Sequence, residues 1–194
     1  MASTTVDGVI DAIVENRRRF KAFCYSLTPE QLDRPVPGST WIVRDFAAHL
    51  DTLDPAMLPL FEGVAAGTPI DAALGEGGTP FDVDAFNDAE VASRRDWPLD
   101  RVFAEADANR ERLIAALRTL TDEQIARPMH FGGDSKRAPA DLPLQWFLVG
   151  WAQHDPIHVA DMIKALPELA DDAELKGWLD NRFVAGYQTV MNAH

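Results

Sequence analysis

Two histidines four residues apart stand in the apolar stretch QWFLVGWAQHDPIHVADMIKAL, residues 145–166. At helical spacing Phe147, Trp151, His154, His158, Met162 and Ala165 share one face, and the two imidazoles are its polar members. An i, i+4 pair points both rings the same way, close enough to share a tetrahedral or octahedral ion. Two readings account for the pair: a bound metal, or hydrogen-bonded histidines in a core. His49 bears on the choice, because it falls on the apolar stripe Ile42, Phe46, His49, Leu50 and Leu53 of an earlier helix. Bundles build metal sites from facing helices. Three histidines with one or two open positions would be the arrangement of a catalytic ion.

Carboxylates lie at useful spacings. Asp45 precedes His49 by one turn, Asp155 follows His154, and Asp161 is three residues past His158. Each could accept the second N–H of a ligating ring, and each could equally be a solvated helix charge. Pro156 lies between the two histidines, removes the bond to the Ala152 carbonyl and is expected to kink the helix there. The segment H-D-P-I-H departs from the zinc-protease pattern H-E-x-x-H, since aspartate replaces glutamate and proline disturbs the helix which that motif needs. His130, Lys136 and Arg137, in the connection before this helix, could reach an anionic ligand, with solvated loop charges as the plainer reading.

The elements that must position these residues are helical. A first helix spans about Thr5 to Leu27, with Val6, Ile10, Ile13, Val14, Phe20, Phe23, Cys24 and Leu27 inward and Arg17 to Arg19 mostly outward. Thr28 caps a short turn that has Pro29 at its first position. Ser39 or Thr40 is expected to cap a second helix, which Pro55 and Pro59 bend or interrupt before Phe61. Residues 63–80, rich in Gly, Ala, Thr and Pro, read as a long connection or lid. A third helical region runs from near Phe81 to Leu120, punctuated at Trp97-Pro98. LTPEQLDRP (27–35) recurs as LTDEQIARP (120–128), each copy following a long helix and preceding one with inward histidine. The repeat predicts two helical hairpins forming an up-down four-helix bundle. A further C-terminal helix, Asp171 to Met191, places Leu175, Trp178, Leu179, Phe183 and Val190 toward the bundle. No strand-period segment is long enough for a sheet, so the class is all-α.

Length and composition bound the function. The 194 residues suit one compact domain, and 46% apolar with 25% charged residues can fill its core. A net charge of −13 argues against nucleic acid and anionic membrane surfaces as partners. Cys24 is the sole cysteine; on the apolar face of the first helix it reads as a core thiol. The N-terminal segment reaches charge by Asp7 and lacks the apolar run of a signal peptide. No stretch approaches the roughly 20 residues of a membrane span. A soluble cytoplasmic protein is expected.

The segment STWIVRDFAAHLDTLD resembles the DinB-like, or YfiT-like, metal-binding four-helix bundles, whose second helix carries Trp, then Asp, then a ligand histidine; the matching residues are Trp41, Asp45 and His49. The family's H-x-x-x-H on the fourth helix matches His154 and His158, and FDVDAFNDAEV resembles segments found before its third helix. The likeness spans Thr5 to about Leu166. It implies a divalent ion, zinc or nickel, held by His49, His154 and His158, with water in the remaining sites. Family members of assigned activity are mostly thiol-dependent: the mycothiol-dependent maleylpyruvate isomerase, and mycothiol or bacillithiol S-transferases. By that likeness the chain would activate a low-molecular-weight thiol for transfer to, or isomerisation of, a small-molecule electrophile. Cys24 is a poor source of the thiol. Related bundles often dimerise through helix faces, which implies a homodimer as one option, but no heptad face here is clean enough to assign an interface. Hydrolysis by metal-activated water is one alternative. A non-catalytic, stress-related metal-binding bundle is another.

Overall fold

The computed structural model describes residues 5–52, 54–67 and 82–191. Helix α1 (Val6–Ser26) begins where the Thr5 hydroxyl accepts from the Gly8 amide, and buries Val9, Ile10, Ile13, Phe20, Phe23 and Cys24. The short α2 (Pro29–Leu32) follows. Helices α3 (Asp45–Thr52) and α4 (Asp54–Ala65) form the second rod, and α5 (Val83–Arg94) leads into the third, α6 (Leu99–Leu117). After α7 (Asp122–Ile125), strands β1 (Pro128–Phe131) and β2 (Ala140–Pro143) pair antiparallel. The fourth rod is α8 (Leu144–Ala152) with α9 (His154–Ile163); a 3-10 turn (Pro167–Leu169), α10 (Ala173–Leu179) and α11 (Arg182–Met191) complete the chain. The rods α1, α3–α4, α6 and α8–α9 are the expected up-down bundle, and α10 and α11 pack on α9.

Several boundaries differ from the sequence reading. Residues 41–44 are not helical: Ile42 bridges Pro35, Val36 donates to the Trp41 carbonyl and Val43 to that of Arg34, so α3 starts only at Asp45. Pro59 sits inside α4 without ending it. The long connection before the fourth rod is a β-hairpin, whose Met129 and Phe131 enter the core on alternate positions. The last helix divides at Asp180–Asn181. Val14 is half exposed whereas Arg17 is buried. Leu53, Phe81, His194 and most of the expected lid (68–80) lie outside the described residues.

The core comes in two apolar clusters. One gathers Phe20, Phe46, Leu50, Phe103, Val159, Met162 and Leu166; the other gathers Ile13, Phe61, Leu113, Leu117, Ile125, Met129, Leu144 and Leu148. Each fully buried Leu or Phe contributes about 1.5–3 kcal/mol. Each of the four rods contributes one member to two buried ion pairs: Arg17 on α1, Asp54 on α4, Arg110 on α6 and Asp155 on α9. They pair crosswise, Arg17 with Asp155 and Arg110 with Asp54.

This crossing continues the sequence repeat. Thr121 stands 93 positions after Thr28, as Arg110 does after Arg17. Past the hairpin the offset becomes 101, the distance from Val43 to Leu144 and from Asp54-Pro55 to Asp155-Pro156. Val43 donates to the Arg34 carbonyl as Leu144 does to that of Arg127, and Pro35 bridges Ile42 as Pro128 pairs with Pro143. The bundle is therefore two copies of one helical hairpin, and each copy lends its arginine to the other's Asp-Pro.

Candidate metal centre

Three histidines from two rods meet. His49 comes from α3, a helix fastened by burial of Phe46, Ala47 and Leu50; His154 and His158 come from α9. The Nε2 atoms of His49 and His158 are 3.2 Å apart, and those of His158 and His154 3.1 Å. One ligand atom from each ring lies within 4.8 Å of the other two. His49 and His158 are buried, while His154 is partly exposed, so the cluster opens on its side. The Trp41 ring lies against His49, Phe46 and Tyr187 against His158, and Trp151 against His154, with centroids 4.9–5.8 Å apart.

The Asp161 carboxylate lies 3.1 Å from His158 Nδ1 and so accepts its proton, leaving the His158 Nε2 lone pair facing the other two rings. Asp161 also accepts from Lys164 Nζ and Gln188 Nε2, both at 2.9 Å. Burial pushes its carboxyl up, but the bonds from His158, Gln188 and Lys164 outweigh burial and hold it below the usual range. Burial first, then the neighbouring His158, drives His49 well below the ordinary imidazole value. The same causes act on His154, with His49, Arg110 and Arg17 adding to them. Neutral rings are what a metal requires. Without a cation, the single lone pair on His158 Nε2 would have to serve both neighbouring nitrogens. A cation at their centre would satisfy all three, and M–N bonds of about 2.0–2.1 Å in a tetrahedral set put nitrogens roughly 3.3–3.4 Å apart, close to the two separations seen. The donor set and its spacing fit a divalent ion.

The other candidates divide. Of the three carboxylates, Asp161 alone reaches a ring. Asp155 accepts both prongs of the Arg17 fork, and Asp45 accepts from the Ile42 amide at 3.1 Å and from Arg95 at 3.2 Å. Lys136 pairs with Asp84 at 2.7 Å and makes no contact with a ring of the cluster among the described residues. Arg137 folds back on Asp134 and over Phe131, and exposed His130 meets Asp141 across the hairpin at 2.8 Å. Cys24 is fully buried; burial, then the charge of Asp155, pushes its thiol far above the usual range, so it stays an inert core thiol. Pro156 does mark a break, one turn earlier than a kink at the proline itself: α8 ends at Ala152 and His154 opens α9. Sequence reasoning missed Gln188 and Tyr187, which carry no motif. It also missed Arg17, although that residue sits at stripe spacing between Ile13 and Phe20.

The sequence profile of the DinB superfamily matches residues 12–162, more than three quarters of the chain, and the chain belongs to that superfamily. The crystal structure of the mycothiol-dependent maleylpyruvate isomerase is similar, with a TM-score of 0.59 at 11% identity over 81% of this chain and 60% of that one. A histidine-to-alanine mutant of the same isomerase aligns at a TM-score of 0.58 and 12% identity, with the same coverage. The chain thus spans 60% of the isomerase's length, and at these identities the likeness is one of fold. No curated protein matches it by sequence. Among the described residues, no helix is long and apolar enough to cross a membrane.

Proposed function

We propose that the chain holds a divalent ion, zinc or nickel, on the Nε2 atoms of His49, His154 and His158, and uses it to activate a low-molecular-weight thiol for S-transfer or isomerisation. The observation that carries this is the convergence of three imidazoles at 3.1–3.2 Å steps, with His158 Nδ1 turned away onto Asp161. A bound divalent ion lets a coordinated thiol ionise near neutral pH, which makes it the attacking thiolate.

The chain's own residues do the rest. Asp161, gripped by Lys164 and Gln188, keeps the His158 proton on Nδ1 and the ring in place. Trp41, Phe46 and Trp151 keep water from the rings and leave the approach beside His154. Burial, then Asp161 and Asp84, push the Tyr187 phenol up, so it remains a proton donor at neutral pH beside His158. Cys24 is buried out of reach, so the thiol must be a separate molecule. The fold shared with a mycothiol-dependent isomerase supports thiol chemistry. A cytoplasmic setting, where such thiols are present, and a homodimeric state belong to the same proposal.

The test is metal analysis of the purified protein followed by thiol consumption with mycothiol, bacillithiol, glutathione and coenzyme A against panels of electrophiles. One ion per chain and turnover that depends on a thiol are expected. Product formed without any thiol would move the reading to metal-dependent hydrolysis. A full ion complement with no turnover would leave a binding protein.

A further inference from the structure

Consecutive residues of α1 grip both sides of the break that brings His154 to the site. Pro156 has no N–H, so the Ala152 carbonyl loses its helical donor. Asn16 Nδ2 donates to that carbonyl at 2.6 Å. Arg17 donates from Nε and Nη2 to the two oxygens of Asp155, at 2.9 and 3.2 Å, and from Nη2 to the Leu50 carbonyl at 3.0 Å. Leu50 directly follows His49, and Asp155 directly follows His154. One guanidinium, 5% exposed, therefore joins the neighbour of a ligand on α3 to the neighbour of a ligand on α9.

We propose that Arg17, with Asn16 beside it, is the positioning residue of the histidine cluster, holding α3 and α9 at the spacing that ligation needs; this rests on the metal reading above. Metal sites tolerate errors of only about 0.2 Å in ligand distance. A planar fork that bonds both helices fixes distance and angle together, which a flexible ammonium cannot do. Its mate in the repeat, Arg110, makes the equivalent bond to Asp54, yet no histidine adjoins Asp54 in the chain. The pair of arginines thus separates fastening the bundle from setting the ligands.

The experiment compares Arg17→Lys, the double variant Arg17→Met/Asp155→Asn (which leaves no lone buried charge) and Arg110→Lys with the parent protein. Zinc affinity by chelator competition, the visible spectrum of the cobalt-loaded protein and metal-free thermal unfolding are measured on each. Both Arg17 variants are expected to lose about 10–100-fold in zinc affinity and to show altered cobalt bands. Arg110→Lys should lose comparable thermal stability and keep the parental affinity and spectrum. A folded double variant with parental affinity overturns the proposal, as does equal loss of affinity in Arg17→Lys and Arg110→Lys. If the double variant does not fold, Arg17→Lys decides alone. If the parent binds no ion, the metal reading falls. The clamp is then judged by the crystal structure of metal-free Arg17→Lys, where Nε2 separations unchanged from 3.1–3.2 Å refute it.

Discussion

The two hairpins of the bundle share a frame and differ in what they hang on it. Both open with a Thr–Gln capping box, both turn through Arg-Pro into an antiparallel bridge, and both send a helix to an Asp-Pro that meets the other copy's arginine. The histidines do not follow this symmetry. At the 101-residue offset His49 corresponds to Gly150, His154 to Leu53 and His158 to Met57. Met57 is buried in the apolar cluster where its counterpart meets a carboxylate and two imidazoles. One end of a near-symmetric scaffold has become a polar site, and the other has remained core. Whatever depends on the frame should therefore respond alike in both halves, and whatever depends on the ion should respond in one.

The largest contrast is expected at that pair of positions. His158→Ala removes a ligand and should lower zinc affinity by more than about 100-fold, beyond what loss of a supporting partner costs. Met57→Ala should leave the affinity unchanged but destabilise the fold by about 2–5 kcal/mol. Chelator competition and chemical denaturation on both variants check this. Parental affinity in His158→Ala would remove that residue from the site.

The buried ion pairs come next. Truncating one partner of such a pair typically costs about 3–5 kcal/mol, because a charge is left behind. The two halves should differ within that range. Burial raises Asp155, but Arg17 and Arg110 outweigh burial and hold it below its ordinary 3.8. Asp54 is pushed above 3.8, since burial outweighs Arg110 and its Oδ1 has no partner. Arg17→Met, which strands an acid held ionised, should cost more than Arg110→Met, whose partner can take up a proton. The pH dependence has opposite signs. Folded Asp155 binds its proton less readily than the unfolded chain, so its contribution is full above 3.8 and is lost as pH falls through the folded pKa. Folded Asp54 binds its proton more readily, so its contribution is full below 3.8 and is lost as pH rises through the raised pKa. Denaturation of Asp155→Asn and Asp54→Asn between pH 3 and 7 separates them; parallel profiles would contradict the assignment.

These pairs also mark the limit of what could be read from the chain. Histidines in an apolar stripe are conspicuous because few other polar residues are there, and the three-histidine grouping followed from residue type and spacing. Arg17 and Arg110 obey the same spacing, between Ile13 and Phe20 and between Ala106 and Leu113. Arginine is so rarely buried that such a position reads as the edge of a stripe. Only the repeat, carried past its conspicuous nine residues to Arg17/Arg110 and Asp54/Asp155, would have shown the crossed pairs. The β-hairpin was hidden for a different reason. Its strands are four residues long, and Pro128 and Pro143 at its ends suggest a loop. Gln188 reaches Asp161 by tertiary packing of α11 alone.

The turns offer a smaller test. Gly38 and Gly133 both hold positive φ, 78° and 82°. A Cβ on Gly38 meets nothing, so Gly38→Ala should cost only the left-handed strain of about 1 kcal/mol. A Cβ on Gly133 lies 2.9 Å from the Arg137 carbonyl oxygen and 3.0 Å from Pro139, so Gly133→Ala should cost more and loosen the hairpin. Equal losses would mean that the second turn relaxes as freely as the first.

The smallest effect belongs to the most symmetric feature. Thr28 Oγ1 accepts from the Gln31 amide at 3.3 Å while the Gln31 side chain accepts from the Thr28 amide at 2.9 Å; the Thr121–Gln124 values are 3.2 and 2.8 Å. Neither threonine touches the histidine cluster, so Thr28→Ala and Thr121→Ala should each cost about 1 kcal/mol and leave zinc affinity alone. The two caps end different rods and share no partner, so the double variant should lose the sum of the two. Unequal losses would show that the longer hairpin after Thr121 has taken over part of the work its cap does. Equal and additive losses would place the divergence of the halves wholly downstream of Arg-Pro, where the second copy inserts its strands and carries its histidines one and two turns farther along the rod than His49 lies in the first.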